Sequence, residues 1–541
     1  MNPIIVLKNF RSYGEGGADF ELAPVTVLTG CNSAGKSSLV KALLLLSKKS
    51  NSITSGSISY SQDLKLTSKE MNLGGYKTVA HDNQKITMSY TIWSSDLQDV
   101  LSVERVFCES PNDVLNNGTL YQLTVKKSDG TIIYQLGPGW LDGYLQSNNF
   151  VNTIKAEFDR FYAVGCYNHA QHILKLIAEV KDSDGKEKAI KIGEDASKKL
   201  LIKLSSVGLN ESDAELLWNQ YNFETWKAVI EMRTYSLNID KRTANLSDLT
   251  EEPNGIIYEM MVDRFMESII GNALSPYFTQ NIEYINSASA QIARLYLSED
   301  DNKMSLALRL LNSRNKYYQD HGDLWAPAYT RSTCKIHVPG SFLNRWLEIF
   351  GIADAMELIG TTEGLGFMAY LKVGENKRLL ADEGYGITQL VSLLLQIDNS
   401  IPLLLEPDKE KFIQDKKVIL EYHPHIVCVE EPENHLHPKF QSLLADMFVE
   451  AYQKYNIRFI IETHSEYLIR KLQVMVADKD IPLTTNDVSL NYIEKGKDGK
   501  SHNKPIRILE DGGLSNSFGA GFYDEADTLA IQLFRNKPIL S

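Results

Sequence analysis

The segment Gly30-Cys31-Asn32-Ser33-Ala34-Gly35-Lys36-Ser37 constrains this chain more than any other, because it fits the pattern GxxxxGK[ST]. Residues 25–29 before it are apolar and partly β-branched, as a buried strand is, and residues 37–48 after it carry helical apolar spacing. Strand, glycine-rich turn and helix, in that order, is the context in which this pattern binds phosphate. The glycines let backbone N–H groups close around phosphate oxygens at a helix N-terminus, where the helix dipole favours negative charge. The candidate nucleotide contacts are Gly30, Asn32, Ser33, Ala34, Gly35, Lys36, Ser37 and Ser38. Lys36 is expected to reach the β- and γ-phosphates, and Ser37 to offer its hydroxyl to Mg2+.

Three later segments carry chemistry that such a loop needs. Val427-Cys428-Val429-Glu430-Glu431 reads as an apolar strand with two acids at its C-terminal end, the edge where α/β sheets hold ligands. Glu430 is expected in the Mg2+ shell and Glu431 is expected to orient and deprotonate an attacking water. Thr463-His464-Ser465 ends the following strand, where His464 can hydrogen-bond a γ-phosphate, although Ser465 is the residue suited to cap the next helix. Gly384-Tyr385-Gly386-Ile387-Thr388-Gln389 opens an apolar helix, which makes Gly384, Gly386 and Gln389 candidates for a second anion-binding end. Each of the three is weak alone. Their order behind a phosphate loop gives them weight.

The layout predicts an α/β chain: a P-loop ABC-type ATPase head, built from a β-rich lobe and an α/β lobe, with a mainly helical insertion. Residues 1–135 hold the phosphate loop and strand-like runs at 86–93, 103–108, 119–126 and 131–136. Residues 136–335 are expected to be mainly helical, with runs at 214–232, 256–274 and 304–318. Residues 336–541 return to strands at 425–429 and 458–461 and helices at 438–454 and 465–474, followed by two strands and a last helix near 525–534. No apolar run reaches the length of a membrane span, so no membrane partner is expected. The N-terminus lacks the basic start of a signal peptide. Five scattered cysteines suit reduced thiols, and a cytoplasmic location is expected. The net charge of −13 weighs against a general basic coat for nucleic acid, though it leaves room for a local groove.

Together these residues resemble the ABC-class ATPases of the SMC, RecF and OLD kind. The resemblance lies in Leu7-Lys8-Asn9-Phe10-Arg11-Ser12 with the phosphate loop, Asp382-Glu383-Gly384-Tyr385-Gly386 with Gln389, Glu430-Glu431-Pro432-Glu433-Asn434-His435-Leu436-His437-Pro438, and Ile461-Glu462-Thr463-His464-Ser465-Glu466. It covers roughly 1–135 and 335–541 and implies a homodimer in which two heads sandwich two ATP molecules with Mg2+. The 384–389 loop of one head would cap the γ-phosphate on the other, and 434–437 would form a D-loop. The loop departs from the LSGGQ form, so Thr388 stands as a candidate for its serine, and Gln62 and Gln84 are candidates for the Q-loop glutamine. Gly521-Phe522-Tyr523-Asp524-Glu525 resembles the tail of a subgroup common in bacterial defence systems. Within the group, size and layout are most similar to the PtuA family, the ATPases of Septu and retron anti-phage systems. That similarity implies an HNH nuclease of the PtuB type as partner and, in retron settings, a reverse transcriptase with its RNA–DNA hybrid. The expected role is an ATP-gated sensor without a nuclease site of its own. The alternative is a RecF-like DNA-repair ATPase stimulated by DNA.

Other signals weigh less. His423, His425, His435 and His437 suggest zinc, but at about 3.3 Å per residue the two pairs stand at opposite ends of one strand. Asp159 with Glu179-Val180-Lys181 mimics a D…ExK nuclease motif, yet 173–180 reads as helix. His502-Asn503-Lys504 has no partner histidines at useful spacing. Arg309, Arg314 and Lys316 with Tyr317 and Tyr318 read as a solvated helix face.

Overall fold

The computed structural model describes residues 2–47, 64–68, 71–110, 117–137, 148–179, 186–221, 255–274, 282–286, 293–297, 302–321, 335–336, 338–361, 366–402 and 425–519, with a few short pieces besides. They form two compact units. One comprises residues 2–86, 109–118 and 277–541; the other comprises 87–108 and 119–276. This partition differs from boundaries at 135 and 335, because strands of the β-rich region group with the helices up to 276, and 277–335 group with the phosphate loop.

The unit holding the phosphate loop is built on a six-stranded sheet. Its strands are β1 (Val25–Gly30), β2 (Ile282–Ile285), β3 (Ile426–Glu430), β4 (Arg458–Glu462), β5 (Val488–Lys495) and β6 (Ser501–Ile506), in the spatial order β2-β3-β4-β1-β5-β6. All pairs are parallel except the last. A parallel sheet is covered on both faces, which is why β1, β3 and β4 read as nearly continuous apolar runs. β2 lies in a segment expected to be helical. Its four residues, Ile-Glu-Tyr-Ile, are too few for periodicity to distinguish strand from helix. The covering helices include α1 (Lys36–Ser47), α2 (Tyr385–Ser400), α3 (Pro438–Tyr455) and α4 (Glu466–Ala477). Pro438 starts α3 where a missing N–H costs nothing, and Asn456 ends it in the left-handed region at φ 54°. Ser465 caps α4 by accepting from Leu468 N at 3.1 Å. Trp346, Leu394, Phe448, Phe459 and Leu472 belong to one hydrophobic core cluster. The expected α/β P-loop class is the fold observed.

In the other unit the strands Ile132–Leu136, Gly118–Lys126, Asp99–Glu109 and Ile86–Ser94 neighbour one another in that order. The turn between the first two uses Gly130 at φ 86°, with Asp129 Oδ1 accepting from Thr131 N at 2.8 Å. The helices Asn148–Glu179 and Gly255–Leu274 share an aromatic core of Phe158, Phe161, Tyr162 and Phe265. Asp159 sits on the first of these helices and accepts from the Tyr258 hydroxyl at 2.9 Å. In the run expected at 214–232, one helix spans Glu211–Trp218, and the described residues Thr225, Trp226 and Val229 are helical again. The first helix starts earlier because Asn210 and Asp213 form a reciprocal capping box, and its end is capped at Asn219. Half of 525–534, Gln62, His423, Val180, Lys181 and all but Phe522 and Glu525 of the 521–525 motif lie outside the described residues.

Arg314 corrects one expectation. It is buried rather than solvated, and its guanidinium donates to the carbonyls of Asp398, Asn399 and Ile401 at 3.1, 2.7 and 2.6 Å, the open C-terminal end of α2. Asp398, fully buried, accepts from the N–H groups of Gly340, Phe342 and Leu343 at 2.7, 3.1 and 3.2 Å and so caps the helix Ser341–Ile349. Asp398→Ala would orphan three buried donors. We expect it to cost about 3 kcal/mol of stability, read as a lowered midpoint in chemical denaturation.

Candidate nucleotide site

The loop after β1 takes its shape from backbone positions that only glycine fills. Gly30 has φ 131°, and a Cβ there would stand 2.0 Å from the Ile493 carbonyl. Gly35 has φ 104°, and a Cβ there would stand 2.4 Å from Ser12 Oγ. α1 then starts at Lys36, so the N–H groups of its first turn have no acceptor inside the helix, and that of Ser38 donates to the Gly35 carbonyl at 3.0 Å. Lys36 is buried. Its ammonium donates to the carbonyls of Cys31 at 3.0 Å and Gly30 at 3.3 Å and lies 3.9 Å from Glu462 Oε1. The Ser37 hydroxyl donates to Glu462 Oε2 at 2.9 Å.

The acids come from neighbouring parallel strands. Glu430 is in register with Glu462, so two carboxylates lie side by side at the C-terminal edge of the sheet. Glu431 turns out of β3 with φ 47°. Its N–H donates to the Glu462 carbonyl at 2.7 Å, and its carboxylate accepts from Asn434 Nδ2 at 2.6 Å. Glu433 is buried and accepts from His464 N at 2.6 Å. Burial holds the Glu433 and Glu462 carboxyls above their ordinary range, the latter against the opposing Ser37 hydrogen bond and Lys36 charge. Burial also lowers the Lys36 ammonium, with Glu462 and Glu431 opposing. His464 is pushed below its usual value by burial and by Lys36, which leaves a neutral ring at pH 7.

Gly384 and Gly386 lie at the start of α2, where a Cβ on Gly386 would stand 2.4 Å from the His435 carbonyl. Gln389 Nε2 reaches the Glu431 carbonyl at 3.5 Å, while its Oε1 is buried without a hydrogen-bond partner. Within one chain, therefore, the α2 start packs on the 431–435 loop. Thr388 is a poor stand-in for a signature serine, since it is buried and its hydroxyl donates to the Tyr385 carbonyl at 2.8 Å. Gln84 Oε1 accepts from Asn9 Nδ2 at 3.4 Å. The residue that stands beside Glu430 and Gln389, lining one small cleft with Ser392 and Pro432, is Asn286 at the end of β2.

Sequence reasoning missed Glu462, Glu433 and Asn286. A lone acid ending an apolar strand was a usable signal for Glu462. Glu433 and Asn286 carry none, because strand neighbours and loop folding bring them in. Asn32, Ser33, Ala34 and Ser38 lie within the loop and the first turn of α1, with Ser33 at φ 58°.

The donor set suits a nucleotide with its metal. It offers helix-start N–H groups, a buried ammonium held by loop carbonyls and near the Glu462 carboxylate, and hard oxygens from Ser37, Glu430 and Glu462. The buried Thr29 hydroxyl also stands without a partner beside the loop.

The fold and site define a P-loop ATPase. The chain belongs to the AAA ATPase domain family, whose model matches residues 4–469. No curated protein matches it. Among solved structures it overlays loosely on an Smc head bound to the C-winged helix domain of ScpA, at 11% identity and TM-score 0.38, covering 93% of this chain and 98% of that one. It overlays similarly on an Smc head with extended coiled coil bound to the C-terminal domain of ScpA from Pyrococcus furiosus, at 11%, 0.35, 98% and 100%. The SMC head domain from Thermotoga maritima gives 11%, 0.33, 94% and 99%.

Gly386→Ala forces the His435 carbonyl to move. Nucleotide binding to the P-loop should persist while turnover falls about tenfold or more, as measured by analogue titration and phosphate release.

Proposed function

We propose that this chain is the ATP-hydrolysing sensor of an anti-phage defence complex, working as a pair of heads that restrains a separate HNH nuclease. The observation that carries this reading is the hydrogen bond from Gln389 Nε2 to the backbone of Glu431. It ties the α2 start, which would meet a second head's nucleotide, to the residue best placed to act on water. A γ-phosphate held from both sides favours the closed pair, and its loss would release it.

In this reading the loop from Gly30 to Ser38 binds the phosphates, and Lys36 exchanges its carbonyl partners for β- and γ-oxygens. Ser37 and Glu430 would hold Mg2+, which supplies neutralisation of phosphate charge. Glu431, oriented by Asn434, takes the proton from water, and neutral His464 hydrogen-bonds the γ-phosphate. The resemblance of 521–525 to defence ATPases supports the biological setting, with a PtuB-type nuclease and, in a retron, a reverse transcriptase with its RNA–DNA hybrid as partners.

Glu431→Gln should retain ATP binding, lower turnover about 100-fold or more, and shift the protein from monomer to dimer in light scattering with ATP. Lys36→Ala should lose binding. Wild-type turnover in Glu431→Gln would remove it as the base. Strong stimulation of wild-type turnover by DNA, with no complex formed with an HNH protein, would favour a RecF-like repair ATPase instead.

A further inference from the structure

Behind Glu430 stands a pair of residues that no motif includes. Tyr284 of β2 is in register with Cys428 of β3, so its side chain shares a sheet face with Cys428 and with Glu430 two residues on. Lys41, on α1 one turn beyond Ser37, donates its ammonium to the Tyr284 hydroxyl at 3.1 Å and lies 4.2 Å from the ring centroid. Lys303 approaches the same ring at 5.1 Å and donates to the Tyr284 carbonyl. The ring is thus fixed from two sides, and its hydroxyl, already accepting from Lys41, has its own proton to give. Burial first, and then the Glu430 carboxylate on the same sheet face, push the phenol's pKa up.

We propose that Tyr284 and Lys41 are positioning residues for Glu430: the Lys41–Tyr284 pair donates to one oxygen of the Glu430 carboxylate and leaves the other turned to the nucleotide's Mg2+. The proposal rests on Glu430 being a metal ligand. Such outer partners set ligand orientation, and losing one weakens metal binding about 10- to 100-fold. The pair also joins α1, which carries Ser37, to β2 and β3, so both oxygen donors to the metal are set by one contact.

The test uses the full chain with a non-hydrolysable ATP analogue, reading Mn2+ affinity by electron paramagnetic resonance and analogue affinity in EDTA. Tyr284→Phe keeps the ring and its cation contacts and should weaken Mn2+ binding about tenfold or more, with analogue binding in EDTA unchanged. Lys41→Met should weaken Mn2+ binding in the same direction, and the double variant no further than Tyr284→Phe alone, since both act through one hydroxyl. If Tyr284→Phe does not fold, Lys41→Met carries the test alone. Wild-type Mn2+ affinity in the folded variants, or an equal loss of analogue binding in EDTA, overturns the proposal. Glu430→Gln separates the two layers. If it weakens Mn2+ and Tyr284→Phe does not, only the positioning role fails; if it leaves Mn2+ affinity intact, the metal role of Glu430 fails and this proposal with it.

Discussion

The Ser37 hydroxyl and the Lys36 ammonium both turn toward one carboxylate, Glu462, at the end of the strand beside the phosphate loop. That contact joins residues 425 positions apart and exists only because β4 pairs with β1 in parallel. It holds the loop's two polar side chains against the acids, while burial shifts the Lys36 ammonium down and the Glu462 carboxyl up. The site is arranged around that edge: Glu430 beside Glu462, Glu431 hydrogen-bonded to the Glu462 backbone, and His464 two residues on, within the field of Lys36 and Glu431.

The second constraint is the rigidity of α2. Its far end is gripped by Arg314 and its last turn by Asp398, both buried. Its near end packs on the His435 carbonyl through a position where only glycine fits and reaches Glu431 through Gln389. A helix held this firmly transmits displacement at its start as movement of the Glu431 loop. The proposed pairing of two heads would use this link to reach the Glu431 loop.

The motif residues were legible because each reports local backbone chemistry. Gly30 and Gly35 are needed where φ is positive, Ser465 where a helix needs a cap, and Pro438 where an N–H is dispensable. Strands β1, β3 and β4 were legible because full burial leaves an unbroken apolar run. β2 was not, since four residues carry no period. Tyr284 and Asn286, which β2 brings beside the acids, carry no local signal for the same reason. Arg314 looked solvated because a basic helix face reads the same whether water or a helix end receives it.

The sequence by itself determined the phosphate loop, the α/β class and the order of acids and histidine, since these follow from glycine stereochemistry, apolar periodicity and capping within a few residues. Tertiary structure alone decided which carboxylate meets Ser37, which tyrosine stands behind Glu430 and which side chains are buried. Strand order and register are set by packing between distant segments, and a side chain's partner across a sheet is fixed by register, which leaves no trace in the residues on either side of it.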